Sequence, residues 1–142
     1  MADRSPAAPR AAPPFPARLL ALLLLTWVPA SLALEASSSL VRLTLHGTPA
    51  FALLLARVLV AGFGIAAGRA LWTIHPSALS MARAWLVLDV VVTALTMATP
   101  YFPSNRLPGT RWHVVALALA VNGAWLLYLS VSPGVRACWS RD

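Results

Sequence analysis

Four polar side chains lie inside long apolar stretches, and their types are the ones in this sequence that could support chemistry. They are Arg57, Asp89, Thr93 and Asn122. A charged side chain in a hydrocarbon core costs about 2.5–3.5 kcal/mol on insertion scales, so it is usually kept beside a partner or a wet cavity. We interpret the four residues as a candidate intramembrane polar network. It would serve either as a substrate or ion site or as a set of hydrogen bonds between helices.

The depths of these residues bear on how they pair. At ~1.5 Å per residue, Arg57 lies about 12 Å from one edge of its apolar stretch, and Asp89 lies about 7–8 Å from the opposite edge. A direct Arg57–Asp89 bridge stays open, but we expect Arg57 to bond Asn122 or Thr93 instead. A further alternative is that Arg57 has no partner at mid-depth: its side chain would then extend toward the nearer membrane surface and bond neighbouring helices there. Asp89 is expected to meet interfacial water or an arginine of a tail or loop.

Four apolar blocks must position these side chains. The sequence is 59% hydrophobic and 11% charged, whereas soluble proteins carry about 25% charged residues. About 20 apolar residues cross a ~30 Å hydrocarbon core as a helix. We therefore predict an all-α fold, a four-helix transmembrane bundle with spans at 18–40, 50–72, 84–102 and 112–132. A disordered Pro/Ala-rich tail (1–17) precedes the bundle and a short tail (133–142) follows it.

The first apolar block has two interpretations. Its basic leading segment, the apolar run over 19–28 and the small residues ending at Ala33 are typical of a signal peptide cleaved after Ala33. The long, Pro-rich leading segment argues against cleavage. In addition, residues 36–45 can extend the apolar run into a complete span, although Glu35–Thr48 also has the character of a loop. We favour a first helix that is retained.

Small residues at helical spacing predict close helix packing on two spans. The predicted packing positions are Ala61, Gly64 and Gly68 on the second span, and Ala116, Ala120 and Gly123 on the last. Arg57 falls on the same stripe as the first row, so its side chain should face other helices and not lipid. Each row could serve within the chain or between chains.

Arginines in the connecting segments predict the orientation. The two tails and the loop between the second and third spans hold Arg4, Arg10, Arg18, Arg69, Arg83, Arg136 and Arg141, and the other two loops hold Arg42, Arg106 and Arg111. This excess predicts that both termini are cytoplasmic, by the positive-inside rule. The net charge of +7 then fits contact with anionic lipid and not with nucleic acid.

Several kinds of chemistry lack the residues they need. Cys138 is the only cysteine, so neither an intrachain disulfide nor a paired-thiol oxidoreductase is possible. The three histidines, His46, His75 and His113, lack the spacing of metal ligands. We predict no catalytic residue, no metal and no cofactor, and we do not expect an enzyme.

The last span and the tail carry a short motif. Residues 125–128 read WLLY and residues 132–139 read SPGVRACW. This segment resembles the end of the bacterial membrane family called domain of unknown function 2569, in which an aromatic helix end is followed by Ser, Val, a basic residue, a small residue, Thr and an aromatic residue. Cys138 stands in place of the Thr, and Pro133-Gly134 in place of residues that are commonly basic. The resemblance implies four helices in a bacterial inner membrane and supplies no catalytic residue.

Two functions fit these features. The first is an accessory or structural inner-membrane protein that acts in the lipid bilayer through helix packing, as a homo-oligomer or with an unidentified membrane partner. The alternative is a subunit of a small transporter or channel in which Arg57 and Asp89 are gating or binding charges.

Overall fold

The described part of the chain consists almost entirely of helices. A computed structural model describes residues 12–99 and 110–139, without the side chains of 38–46. Its helices are α1 (Phe15–His46), α2 (Thr48–Trp72), α3 (Ala78–Ala98), α4 (Arg111–Val131) and the short α5 (Pro133–Trp139). Those ranges contain no strand, and the predicted all-α fold is confirmed.

Four helices are long and apolar enough to cross a membrane: Phe15–Ser37 within α1, and the whole of α2, α3 and α4. Large apolar side chains cover their outward surfaces; Leu59, Leu117 and Leu127, for example, are about two-thirds exposed. Soluble proteins rarely present continuous apolar surface on this scale, but lipid covers it without cost. The chain is therefore a multi-pass membrane protein with the four predicted spans.

The helices pack in the order of the chain. α2 lies between α1 and α3, and α3 lies between α2 and α4, whereas α1 and α4 do not pack closely on each other. Pro14, which directly precedes α1, lies beside α5. A Cβ atom built on Gly134 of α5 would be 3.8 Å from the Cβ atom of Pro14. We call the end of the bundle that holds Pro14, the α2–α3 turn and α5 the near end, and the opposite end the far end.

The apolar core is concentrated toward the near end. Its fully buried members are Leu20, Ala21 and Leu24 of α1, Ala67 and Leu71 of α2, Ala78, Ala82 and Leu86 of α3, Leu129 of α4 and Val135 of α5. Because α5 contributes Val135, the segment after the last span closes this end of the bundle.

The turn between α2 and α3 is set by backbone hydrogen bonds. The amide of His75 donates to the carbonyl of Ala70 at 2.9 Å, and the amide of Ile74 donates to that of Leu71 at 3.4 Å. This is the Schellman pattern, which satisfies carbonyls at the end of a helix. Ile74 occupies the left-handed position with φ 53°, where glycine is usual, and Pro76 follows.

Several boundaries differ from the predicted ones. α1 begins at Phe15 and buries Ala17, so the disorder predicted for 1–17 is wrong for residues 15–17; residues 1–11 lie outside the described range. α1 also continues to His46 through the segment Glu35–Thr48 that has loop character. A helix satisfies its own backbone groups, and Ser37 adds a bond to the carbonyl of Leu34 at 2.8 Å, so serines do not interrupt it.

The third span begins earlier than predicted, and the tail is not irregular. α3 starts at Ala78 and not at residue 84. Pro76 completes the turn before it, and Ala78 and Ala82, which lie on the inner face of the first turns of α3, pack into the core. The predicted end of this span, 100–102, lies outside the described residues. After α4, residues Pro133–Trp139 form α5.

Candidate functional site: a polar cleft between α1 and α4

A cleft of about 580 Å³ lies between α1 and α4, where these helices fail to pack on each other. All four spans contribute to its lining. Its polar side chains are Glu35, Arg57, Asp89, Thr93 and Asn122, and its tryptophans are Trp27, Trp85 and Trp125. The cleft thus gathers the four residues of the predicted network, together with Glu35, which the sequence analysis did not include.

Arg57 connects three helices. Its Nη2 donates to Oε1 of Glu35 on α1 at 2.5 Å, and its Nη1 donates to the hydroxyl of Thr96 on α3 at 3.0 Å. Thr96 is 4% exposed and its hydroxyl donates in turn to the carbonyl of Val92 at 2.6 Å. Each of the three side chains therefore has a hydrogen-bond partner, as burial of polar groups requires.

Asp89 and Asn122 form a separate connection between α3 and α4. The Asn122 side-chain amide donates to Oδ2 of Asp89 at 3.0 Å and to the carbonyl of Ala118, also at 3.0 Å. Asn122 is buried. Because α4 packs closely only on α3 and α5 among the described helices, this bond is a main polar constraint on the position of α4.

The expected pairing of Arg57 is wrong. We expected a bond to Asn122 or Thr93, but Arg57 extends toward the far end, as in the alternative of an arginine that bonds neighbouring helices. Its partner on α3 is Thr96, one turn beyond Thr93, which lines the cleft. No direct Arg57–Asp89 ion pair occurs in the described part of the chain.

The expected arginine partner of Asp89 is also wrong, since among the described residues Asp89 bonds Asn122 and no arginine. The early start of α3 explains the difference. Counted from Ala78, Asp89 is about 16 Å along its helix at ~1.5 Å per residue, and Asn122 is equally far from Arg111 at the opposite end. Since α3 and α4 have 21 residues each, the two side chains share one depth near the middle.

Sequence reasoning missed Glu35 and Trp85. Glu35 lies inside the predicted span 18–40 but was not included in the network, because the segment Glu35–Thr48 also has loop character; α1 places it at the level of Arg57. The available signal was a carboxylate within a predicted span, which needs a partner there. Trp85 is 8% exposed, and its indole N–H donates to the carbonyl of Val60 at 3.0 Å. Its place opposite Gly64 could not be read from α3 alone.

The two small-residue rows differ in their surroundings. Ala61, Gly64 and Gly68 are buried. A side chain on Gly64 would overlap the Trp85 indole of α3, and one on Gly68 would lie 2.8 Å from Leu24 of α1. The second row, Ala116, Ala120 and Gly123, is exposed, with no atom within 4 Å of a side chain built on Gly123. That row does not pack within the described chain.

Arginines complete the end of α4. Nη2 of Arg83 donates to the carbonyl of Leu129 at 2.7 Å, and Arg136 donates to the carbonyl of Ser130 at 2.7 and 3.1 Å. The last carbonyls of a helix lack partners within it and carry partial negative charge, so cations stabilise them.

In the segment that follows α4, burial raises the pKa of the Cys138 thiol above its ordinary value.

Metal ligands do not cluster in the described residues: no three histidine, cysteine, aspartate or glutamate side chains there are placed to hold an ion.

Comparison with protein-family models, with curated proteins and with solved structures found no match. The resemblance over residues 125–139 therefore stays a prediction.

Proposed function

We propose that this chain is an accessory protein of a bacterial inner membrane and that it acts by packing its helices against a second membrane chain, either another copy or a different partner. The observation that carries the proposal is the exposed row Ala116, Ala120 and Gly123 on α4. The location is supported by the resemblance of the last span and tail. The arginine distribution supports cytoplasmic termini.

The physical basis is the weakness of hydrophobic attraction in lipid. Helices associate there through close van der Waals contact and interhelical hydrogen bonds, for which small residues leave room. The equivalent row on α2 is already filled by Trp85 and Leu24. The α4 row likewise consists of alanine and glycine but has no occupant from the described chain, so a second chain is the natural source of one.

A bulky side chain in the α4 row tests the proposal. We expect Ala120→Leu to abolish recovery of the partner, or of a second tagged copy, in pull-downs from mild detergent. Ala84→Leu is the matched control, because Ala84 is an exposed α3 alanine whose exposed neighbours, Val87 and Leu88, are already bulky. Equal recovery with both variants, or no stoichiometric partner for the unaltered chain, would contradict the proposal.

A second candidate function is favoured by the cleft itself. Arg57 and Asp89 line one cavity inside the spans, as expected for the gating or binding charges of a small transporter or channel subunit. The unaltered chain in proteoliposomes should then show proton- or ion-coupled flux that Asp89→Asn abolishes. Absence of flux from the unaltered chain counts against this function and leaves the packing proposal intact.

A further inference from the structure

The ionisable side chains that line the cleft are two carboxylates and one guanidinium. Arg57 lines the same cavity, but its guanidinium is bonded to Glu35 of α1 and not to Asp89. Asp89 receives a neutral donor, the Asn122 amide, at Oδ2. Among the described residues no hydrogen-bond donor is directed at its Oδ1, although the residue lines the cavity. The middle of the cleft therefore presents a carboxylate that no bonded cation neutralises.

Aromatic walls lie immediately beside this carboxylate. Trp85 is one helical turn before Asp89 on α3, and Trp125 is one turn after Asn122 on α4. Since α3 and α4 run in opposite directions, both indoles lie on the near-end side of the Asp89–Asn122 bond. Trp27 of α1 completes the opposite wall.

Two of these indoles, Trp85 and Trp125, are held in place by contacts within the bundle. The indole of Trp85 is fixed by its bond to the Val60 carbonyl, and Trp125 packs edge-on against Tyr128 with ring centres 6.0 Å apart. Indole faces attract cations electrostatically as well as apolar groups, and tryptophan does so more strongly than other aromatics. A carboxylate beside such aromatic rings is suited to a positive charge carried on an apolar body.

We infer that the cleft binds an amphipathic organic cation, with its charged group at Asp89 and its apolar body among Trp27, Trp85 and Trp125. The volume of about 580 Å³ falls in the 300–1,000 Å³ range of small-molecule sites. The opening between α1 and α4 gives a route from the lipid, where such a molecule would partition. The inference names a ligand class for the site of the second candidate function, but binding does not require transport.

Equilibrium binding of two probes of the same shape and opposite charge tests the inference. The full chain in nanodiscs of neutral phosphatidylcholine is titrated with tetraphenylphosphonium and, separately, with tetraphenylborate, with tryptophan fluorescence as the readout. We expect saturable binding of the cation and an affinity for the anion at least about tenfold lower. Asp89→Asn should weaken cation binding by about tenfold or more and leave the weak anion binding unchanged or tighter.

A charge swap guards against loss of folding. The double variant Asp89→Asn with Asn122→Asp keeps an amide–carboxylate pair between α3 and α4 and returns the negative charge to the cleft. We expect it to recover most of the cation affinity, whereas Trp125→Leu should lose several-fold of it with the carboxylate intact. Melting curves followed by circular dichroism identify any variant that fails to fold.

Three results would overturn the inference. One is equal binding of both probes, which would mean a site selective for shape and not for charge. Another is unchanged cation binding in folded Asp89→Asn. The third is no saturable binding to the unaltered chain, as would be found if a helix of a second copy filled the cleft. None of these measurements uses flux or partner recovery, so their failure is distinct from failure of either proposed function.

Discussion

Arg57 illustrates how a buried charge is accommodated at the level of single residues. The side chain of Arg57 is 20% exposed and that of its partner Glu35 is 40% exposed, so the pair lies at the partly open far end and not in the closed core. Guanidinium groups present several donors in a fixed plane, which lets Arg57 bond Glu35 and Thr96 at once. Because these partners belong to α1 and α3, one side chain fastens three helices where apolar packing is sparse.

Removing either member of the Arg57–Glu35 pair should destabilise the bundle. We expect Arg57→Leu and Glu35→Leu each to lower the free energy of unfolding in detergent by about 1–3 kcal/mol, since each removes the charge-assisted bond between α1 and α2. The double variant should cost less than the sum of the two, by a coupling of about 1–2 kcal/mol. Thermal unfolding measured by circular dichroism provides the comparison.

Arg69→Leu is the control for these variants because Arg69 is an exposed arginine of the same helix, and it should change stability little. If Arg57→Leu melts like the unaltered chain and inserts into membranes as well, the polar cluster does not hold the helices together.

At the scale of elements, α2 is the helix around which the others are placed. Gly64 receives the Trp85 indole of α3, while Gly68, one turn further on, receives α1. The two glycines therefore bring two different helices close to a single backbone. Glycine destabilises a helix less in lipid than in water, because no water is present to replace the hydrogen bonds of the helix backbone. The helix can therefore keep glycines where neighbouring helices approach closely.

A methyl group at either contact glycine should separate the helices that meet there. We expect Gly64→Ala to displace Trp85 and break its bond to Val60, and Gly68→Ala to push Leu24 away, each at a cost of about 1–3 kcal/mol. Gly62→Ala on the same helix is the matched control, since no atom lies within 4 Å of its added methyl. Melting temperatures should order the variants, and equal values for Gly62→Ala and Gly64→Ala would exclude the packing role.

The α2–α3 turn should be improved by a glycine. Ile74 holds a left-handed backbone conformation that a β-branched residue adopts with strain. Ile74→Gly should therefore raise the free energy of unfolding by about 1 kcal/mol. Ile74→Ala removes the same side-chain contacts while keeping a side chain at the strained position, so it should not stabilise. A loss of stability in both variants would mean that the isoleucine contacts outweigh the strain.

Hydropathy and residue spacing identified the four spans because a membrane helix needs about 20 apolar residues and little else. Pairing was harder, since an error of six residues at the start of α3 moved Asp89 from the edge of the span to its middle. Glu35 was missed for a different reason: it lies within the predicted span 18–40, but it also opens a serine-containing segment with loop character, which α1 crosses as a helix. Such contacts depend on helix depth and rotation, which apolar composition does not specify.

Across the whole molecule, the packing is asymmetric from one end to the other. The near end is closed by apolar residues of all five helices, including Val135, and α4 is tied there by Arg83 and Arg136. α1 and α4 do not pack closely on each other, and polar groups line the space between them from mid-depth toward the far end. A ligand or helix entering from the lipid would therefore meet an opening at mid-depth while the near end stays shut.

The arrangement of ends in the membrane gives a prediction for the entire chain. Pro14 and α5 meet at the near end together with the α2–α3 turn, so all three must face one side. The arginine excess predicts that this side is the cytoplasm. In a Cys138→Ser background, a membrane-impermeant maleimide should label His75→Cys only in inverted vesicles and Arg111→Cys only in right-side-out vesicles.

The native Cys138 should report the same side as position 75, but more slowly. The thiolate is the reacting form, and burial raises the pKa of this thiol. A raised pKa lowers the thiolate fraction at any pH below it, so labelling of Cys138 should increase with pH through a midpoint above that of a free cysteine peptide. Labelling of positions 75 and 138 from opposite sides would contradict the four-span fold. Labelling of both from the outside would keep that fold and reverse its orientation.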